Sequence, residues 1–201
     1  MSEHAVALIG TGADPDDADS SGFAMAYQHA SAYDAIDGVE IVACADIVPE
    51  NAEAFAGEYG IADAGVYEDY EVMLDEARPD VVSICVPPAV HAEIAIGCLH
   101  HDAVEAVHCE KPMALTWGGA RRMAMEAWRR DTQLTFNHQR RFGKPFRKAK
   151  DLLDAGEVGD LERVSFAAPN IYDYGSHSID LCTYEGATET FPNHSITYNK
   201  I

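Results

Sequence analysis

Ala5-Val6-Ala7-Leu8-Ile9-Gly10-Thr11-Gly12 is the stretch that decides the fold of this 201-residue chain. Its five apolar residues predict a buried strand, and the Gly-x-Gly that follows predicts a tight turn at the strand's carboxyl end. Short apolar runs alternate with helical patterns along the rest of the chain, which is typical of a parallel sheet with crossover helices. We therefore expect an α/β protein that opens with a doubly wound parallel sheet.

The same patterns predict the individual elements. Strands are expected at Ala5–Ile9, Val39–Ala45, Asp80–Val86, Ala103–Cys109, Thr132–Phe136 and Leu161–Ala167. Helices are expected at Gly22–Ala35, Pro49–Tyr59, Asp69–Ala77, Val90–His100, Thr116–Arg130 and Phe146–Ala155. We place the first domain at residues 1–142. Residues 143–201 would be the incomplete start of a second α/β open-sheet domain.

The turn Gly10-Thr11-Gly12 is typical of dinucleotide binding, because absent side chains let the backbone approach a pyrophosphate. The amino terminus of the next helix would add unpaired N–H donors. The acidic loop Ala13–Ser21 separates the turn from that helix. If the loop is extruded, Gly22 opens the helix and Ala26 takes the third, close-packing position of the motif.

Asp46 ends the second predicted strand, where its carboxylate could accept hydrogen bonds from both ribose hydroxyls. The same charge would repel a 2′-phosphate, so NAD is favoured, with NADP still possible. The alternative is that Asp46 only initiates the helix ahead of Pro49.

Two further clusters carry polar chemistry. Glu110-Lys111-Pro112 follows the strand Ala103–Cys109, and ligands of open α/β sheets bind beyond the carboxyl ends of strands. The segment Asp173–Asp180 places a carboxylate, Asp173, four residues before the imidazole of His177. At that spacing the two side chains can share one helical face.

Together these motifs resemble the glucose–fructose oxidoreductase/inositol dehydrogenase (Gfo/Idh/MocA) family over about residues 4–182. The resemblance is carried by Gly10-Thr11-Gly12, Ala43-Cys44-Ala45-Asp46, Ser83-Ile84-Cys85-Val86-Pro87-Pro88 with His91, Glu110-Lys111-Pro112, Asn137 with Arg140-Arg141-Phe142, and Asp173-x-Gly175-x-His177-x-x-Asp180.

The resemblance implies an N-terminal Rossmann domain and an NAD(P)-dependent oxidoreductase of sugars, polyols or related compounds, usually a homo-oligomer. It implies that Lys111 contacts substrate and cofactor, with a cis peptide bond before Pro112. Asp173 and His177 correspond to the other catalytic positions. Residues expected beside the cofactor on the nicotinamide side are Pro87, Pro88, His91, Glu110 and Lys111.

The residues themselves also have the chemistry that alcohol oxidation needs. Oxidation of a secondary alcohol requires a hydride to leave carbon and a proton to leave oxygen. The imidazole of His177 can act as the base near neutral pH, and the ammonium of Lys111 can stabilise a developing alkoxide. Two other functions stay open: a non-catalytic dinucleotide sensor or inactive fragment, and another Rossmann enzyme such as a methyltransferase.

Composition excludes some classes of function. A net charge of −20 argues against nucleic-acid binding, which needs a basic surface. The five cysteines form no C-x-x-C pair, so we expect buried thiols in a reducing compartment. The histidine and cysteine spacing matches no zinc pattern, and we expect no metal. Without an apolar leader or membrane-spanning run, the sequence predicts a cytoplasmic protein.

The charge balance generates a testable prediction. Thirty-four acidic against fourteen basic residues is typical of proteins adapted to high salt. Because the screening length falls to about 3 Å near 1 M salt, we expect the thermal unfolding midpoint to rise steadily from dilute buffer to molar KCl. Chloride salts are used because sulfate strengthens apolar burial by itself. A midpoint that is highest in dilute buffer would contradict the hypothesis.

Overall fold

The computed structural model describes residues 4–15, 24–161, 165–168, 170, 174–184 and 197–200. The chain divides into two compact units, Met1–Phe136 and Asn137–Ile201. The sequence-based boundary after residue 142 lies later in the chain. The 3-10 turn Gln139–Phe142 belongs to the second unit, where the guanidinium of Arg141 donates a hydrogen bond to Asp180 (Nε to Oδ2, 2.9 Å).

The first unit alternates strands and helices. Its strands are β1 (His4–Ile9), β2 (Val39–Ala45), β3 (Val66–Tyr67), β4 (Val81–Ile84), β5 (Ala106–Cys109) and β6 (Gln133–Phe136). Its helices are α1 (Met25–Asp34), α2 (Pro49–Tyr59), α3 (Tyr70–Ala77), α4 (His91–His100) and α5 (Trp117–Arg130), with a 3-10 turn at Asp63–Gly65.

All six strands run parallel in the order β3-β2-β1-β4-β5-β6. The chain moves outward from β1 to β3, then returns to the other side of β1 and moves outward again. The predicted doubly wound sheet is therefore confirmed. In this topology the order reverses between β1 and β4, and ligands bind at that switch point, beyond the carboxyl ends of the strands.

Alternate side chains of the sheet form two apolar cores, one on each face, because successive residues of a strand point to opposite sides. In β1, Val6 and Leu8 pack with α1 and α2. Ala7 and Ile9 pack with the helices α3, α4 and α5. Burial on both faces explains why the strands of this sheet read as continuous apolar runs instead of alternating patterns.

Helix ends follow local chemistry. Asp69 and Thr116 cap α3 and α5 by accepting hydrogen bonds from the N–H groups of Glu71 (2.8 Å) and Gly119 (3.1 Å). Thr116 is also the residue at which the sequence analysis begins this helix. The first helix begins at Met25, later than the expected Gly22, because Ala24 adopts a left-handed conformation with φ of 37°. The two-residue β3 was not predicted, since so short a strand carries no period.

The second unit contains the helices α6 (Lys144–Asp154) and α7 (Tyr174–Tyr184) and the strands β7 (Ser165–Ala168) and β8 (Thr197–Lys200). The two strands pair in parallel. The expected strand at Leu161–Ala167 corresponds to β7, which starts later. The strand β8 lies in a tail for which the sequence predicted no regular structure.

Two glycines offer a matched test of the first turn. At Gly10, φ is +82° and an added Cβ would lie 2.6 Å from Val86 Cγ1. Gly57 lies inside α2, and a Cβ there would meet nothing within 4 Å. We expect Gly10→Ala to lower the free energy of unfolding by about 2 kcal/mol or more. Gly57→Ala should instead raise it by about 0.5–1 kcal/mol. Chemical denaturation measures both, and a neutral Gly10→Ala would contradict the close approach of β1 and β4.

Candidate active site

Four strands of the first unit end on one row at the centre of the sheet. Ile9 of β1 pairs with Ala45 of β2 and with Ile84 of β4, and Ile84 pairs with Cys109 of β5. The next residue of each strand must then lie at the same carboxyl edge of the sheet. Those residues are Gly10, Asp46, Cys85 and Glu110.

The glycine turn is shaped by contact with β4. The N–H of Cys85 donates to the carbonyl of Ile9 at 2.8 Å, which brings the backbone after β4 against the turn. Only a residue without a Cβ fits at Gly10, and Gly12 also has a positive φ of 68°. Thr11 is completely buried between them. The turn therefore offers backbone and no projecting side chain at the switch point.

Asp46 braces this turn. Its Oδ2 accepts hydrogen bonds from the N–H of Gly12 at 2.9 Å and from the hydroxyl of Thr11 at 3.1 Å. Its Oδ1 accepts from the N–H of Val48 at 2.9 Å. Each carboxylate oxygen has two acceptor positions, so Asp46 can still accept a ribose hydroxyl. The turn, the carboxylate and the following helix thus fit a dinucleotide.

Helix α1 follows the turn and packs closely on the sheet. Ala26 is completely buried, which agrees with a close-packing position. Gly22, the other residue assigned to this part of the motif, lies outside the described residues, as does most of the acidic loop. The positive end of the helix dipole lies at Met25, on the side from which a pyrophosphate would approach.

The Glu-Lys-Pro turn lies at the same edge. The N–H of Glu110 donates to the carbonyl of Ile84 at 2.9 Å, so this residue still continues the ladder between β4 and β5. The peptide bond between Lys111 and Pro112 is cis, as expected. Lys111 is half-buried immediately beyond the sheet. It comes two residues after the end of β5, and its contact with substrate and cofactor stays a prediction.

His91 joins the loops after β4 and β5. The side chain is fully buried, with Nδ1 2.8 Å from the carbonyl oxygen of Pro112 and Nε2 2.8 Å from that of Val86. These contacts tie the Lys-Pro turn to the loop that carries Pro87 and Pro88. Pro87 is exposed and Pro88 half-buried at this edge. Direct contact of these three residues with a cofactor stays a prediction.

Sequence reasoning missed a buried polar group beneath the site. His29 of α1 lies with Nδ1 2.7 Å from the hydroxyl of Ser83 in β4 and Nε2 3.0 Å from Oε1 of Glu110. The available signal was an imidazole between Ala26 and Ala30, both on the buried face of the helix. The ring of His108 lies 5.0 Å away, and burial, with the nearby His29, lowers the pKa of His108 to about 4.

Burial also controls the thiols at this edge. Cys85 follows β4 and Cys109 ends β5, and burial followed by the nearby Glu110 carboxylate raises the pKa of both thiols. Cys44 in β2 is buried as well, and burial raises its pKa to about 12. These thiols are protonated at neutral pH and are not nucleophiles. Cys44 and Cys109 are buried, as the sequence analysis expected, whereas Cys85 is half-buried.

In the second unit, His177 is buried on α7, and its ring lies edge-on to that of His138 with 5.6 Å between centroids. Asp180, one turn further, forms a two-pronged ion pair with Arg141. Asp173, the carboxylate assigned to catalysis, lies outside the described residues. The catalytic roles of Asp173 and His177 stay predictions.

Two other features are absent from the part of the chain that the structure describes. No helix there is long and apolar enough to cross a membrane. No group of three or more His, Cys, Asp or Glu side chains there could hold a metal ion.

Comparison with known proteins points to one family. Residues 6–138 match the Gfo/Idh/MocA model, described as an oxidoreductase family with an NAD-binding Rossmann fold. The inositol 2-dehydrogenase of Salmonella typhimurium is 34% identical over 127 residues, covering 62% of this chain and 36% of that protein. The D-glucoside 3-dehydrogenase of Escherichia coli is 34% identical over 133 residues, 66% of this chain and 37% of that protein.

Solved structures show the same fold. An oxidoreductase from Agrobacterium radiobacter, in complex with NAD+, L-tartaric acid and magnesium, superposes with a TM-score of 0.79 at 21% identity, covering 97% of this chain and 60% of that one. A putative myo-inositol dehydrogenase from Sinorhizobium meliloti gives 0.76 at 25% identity, covering 92% and 56%. The chain thus spans little more than a third of the curated relatives named above.

The contacts of Asp46 predict a change in cofactor binding. Asp46→Ser removes an acceptor for the ribose hydroxyls and the brace on Gly12, so we expect NADH to bind about tenfold more weakly or worse. NADPH should lose less affinity, or gain some, because the repulsion of its 2′-phosphate disappears. Fluorescence titration measures both dissociation constants. Asp102→Ser, an exposed carboxylate before β5 at the opposite end of the strands, is the control. An unchanged preference for NADH would remove the assignment.

Proposed function

The chain belongs to the Gfo/Idh/MocA family of oxidoreductases, which has an NAD-binding Rossmann fold, and we propose that it is a dehydrogenase of sugars, polyols or related hydroxy compounds. The observation that carries the proposal is the common edge of the sheet. Lys111 follows β5, while the glycine turn and Asp46 follow β1 and β2, so all three belong to one edge of the sheet. This common edge supports a dinucleotide site that is bordered by an ammonium group.

In this proposal the first unit binds the cofactor from three directions. The turn Gly10-Thr11-Gly12 and the amino terminus of α1 face the pyrophosphate, because both present backbone N–H groups to an anion. Asp46 accepts the ribose hydroxyls. The loop with Pro87 and Pro88 and the turn with Lys111 border the nicotinamide end. The NAD-binding family supports this assignment, and it replaces the methyltransferase alternative.

Oxidation of a secondary alcohol at this site would use bound NAD+ as the hydride acceptor and would give NADH, a carbonyl compound and one proton. Among the described residues, we assign the direct contact with the substrate to Lys111. Its ammonium donates a hydrogen bond to the substrate oxygen and stabilises the negative charge that develops there as the proton leaves. In the reverse direction the same group polarises the carbonyl.

We assign proton transfer to His177, with Asp173 orienting the imidazole or the substrate. An imidazole titrates near neutral pH, and it can therefore take up the alcohol proton and release it again. These roles rest on the family resemblance and on the burial of His177 in α7.

The substrate class comes from the relatives. The names of two proteins at 34% identity refer to inositol and to D-glucosides, both of which carry secondary hydroxyl groups. We therefore place cyclic polyols and sugars first among the compounds to test. Homo-oligomerisation stays a prediction of the family resemblance.

Turnover by Lys111 variants tests this function. We expect the protein to reduce NAD+ with at least one member of a panel of inositols, glucosides and polyols. Lys111→Ala should lower kcat about 100-fold or more, because a charged donor to the developing alkoxide is lost. The dissociation constant of NADH should change by less than about threefold, since other groups hold most of the dinucleotide.

Two variants serve as controls. Lys148→Ala removes an exposed lysine of α6 and should leave turnover unchanged. Lys111→Arg keeps the charge but cannot release a proton, so partial activity there separates charge stabilisation from proton transfer. Binding of NADH without turnover of any panel compound would contradict the dehydrogenase and favour a dinucleotide-binding regulator.

A further inference from the structure

A buried imidazole connects the cofactor-binding helix to the Glu-Lys-Pro turn. His29 lies in the second turn of α1, and its Nδ1 and Nε2 contact Ser83 of β4 and Glu110 beyond β5. The side chains of His29 and Glu110 are only 5% and 7% exposed. One ring thus bridges three elements that are far apart in sequence.

Glu110 transmits this contact to Lys111. Oε1 of its carboxylate lies 3.0 Å from His29 Nε2, and Oε2 accepts a hydrogen bond from the backbone N–H of Lys111, also at 3.0 Å. The carboxylate is therefore held at one oxygen by the helix and holds the next peptide at the other. Moving the imidazole would move the peptide plane from which the side chain of Lys111 projects.

The partner of Nε2 fixes the hydrogen-bonding role of this nitrogen. An ionised carboxylate only accepts, so Nε2 carries the hydrogen and donates to Glu110. Nδ1 lies 2.7 Å from the hydroxyl oxygen of Ser83 and 3.5 Å from Sγ of Cys85. His29 thus joins α1 to β4 through Ser83 and to the residue after β5 through Glu110.

Stability alone does not account for such a pair. Burying a carboxylate costs several kcal/mol before its contacts offset that cost, and well-packed apolar residues often stabilise as much or more. The contact with His29 instead fixes the orientation of the Glu110 carboxylate, because both of its oxygens are then held by hydrogen bonds. Glu110 is also too deeply buried to offer much surface to a ligand, so its effect must pass through Lys111.

We propose that His29 is a positioning residue: through Glu110 it fixes the backbone of Lys111, and thereby the direction of its ammonium group, relative to the helix that follows the glycine turn. The proposal rests on the catalytic role proposed for Lys111. It explains why a polar side chain lies on the buried face of α1. In this proposal the position of the ammonium group depends on the position of α1, the helix that follows the glycine turn.

Two amide variants separate the contacts of His29. The nitrogen of a glutamine can take the place of Nε2, so His29→Gln keeps the donor to Glu110 and loses Ser83. His29→Asn reaches only the position of Nδ1, so it keeps Ser83 and loses Glu110. We expect His29→Asn to lower kcat about tenfold or more, because small displacements of a catalytic group are costly. His29→Gln should stay within about threefold of wild type, and KM for NAD+ should change little in both.

A second readout does not depend on turnover. The chain has five lysines, so 13C-methylation of the amines gives few NMR signals, and Lys111→Arg identifies that of Lys111. We expect the chemical shift of this signal in His29→Gln to equal that in wild type, and we expect it to differ in His29→Asn. Val107→Ala controls for general destabilisation, because it creates a cavity beside β5 and leaves His29 and Glu110 unchanged. The Lys111 signal should not move in this variant.

The two readouts distinguish the possible failures. If wild type shows no turnover but the Lys111 signal responds only to His29→Asn, the positioning role stands and the proposed dehydrogenase function fails. Two outcomes would overturn the positioning role and leave the dehydrogenase function intact, provided that wild type turns over normally. One is an equal effect of both amide variants, and the other is a Lys111 signal that does not move in His29→Asn.

Discussion

The alignment of the strand ends at the centre of the parallel sheet is the constraint on which the rest of this structure depends. Ile9, Ala45, Ile84 and Cys109 are in register, so every strand delivers its next residue to the same edge. Parallel strands share a direction, and each crossover helix returns the chain to start again from the opposite edge. A glycine turn, a carboxylate and a lysine therefore lie at one edge of the sheet, although about a hundred residues separate the first from the last.

Hydrogen bonds of buried and half-buried side chains hold this edge in shape. His91 links the loops after β4 and β5 through two backbone carbonyls, and His29 links α1 to Glu110. Asp46 braces the glycine turn through Gly12 and Thr11. Loops are usually the mobile part of an α/β protein, and contacts of this kind preorganise them before a ligand arrives. The shape of this edge thus depends on hydrogen bonds between residues of the protein itself.

The sequence predicted the first unit well because its signals are local. Apolar runs such as Asp80–Val86 and Ala103–Cys109 have the length and the flanking turns of strands, and the structure confirms strands within them. Predictions were poorer where no period exists. The two-residue β3 was not predicted. The late start of α1 depends on the left-handed conformation of Ala24, which no residue preference indicates.

By itself, the sequence determined the chemistry available to this protein: strand-forming runs, glycines that permit a positive φ, and a Lys-Pro turn after a buried strand. These follow from covalent structure and local sterics, which can be read residue by residue. Only the tertiary structure decided that His29 supports Glu110, and that His91 faces two carbonyl groups instead of solvent. Such partners are chosen by packing between distant segments, and a histidine carries no mark in sequence of the group that burial will bring to it.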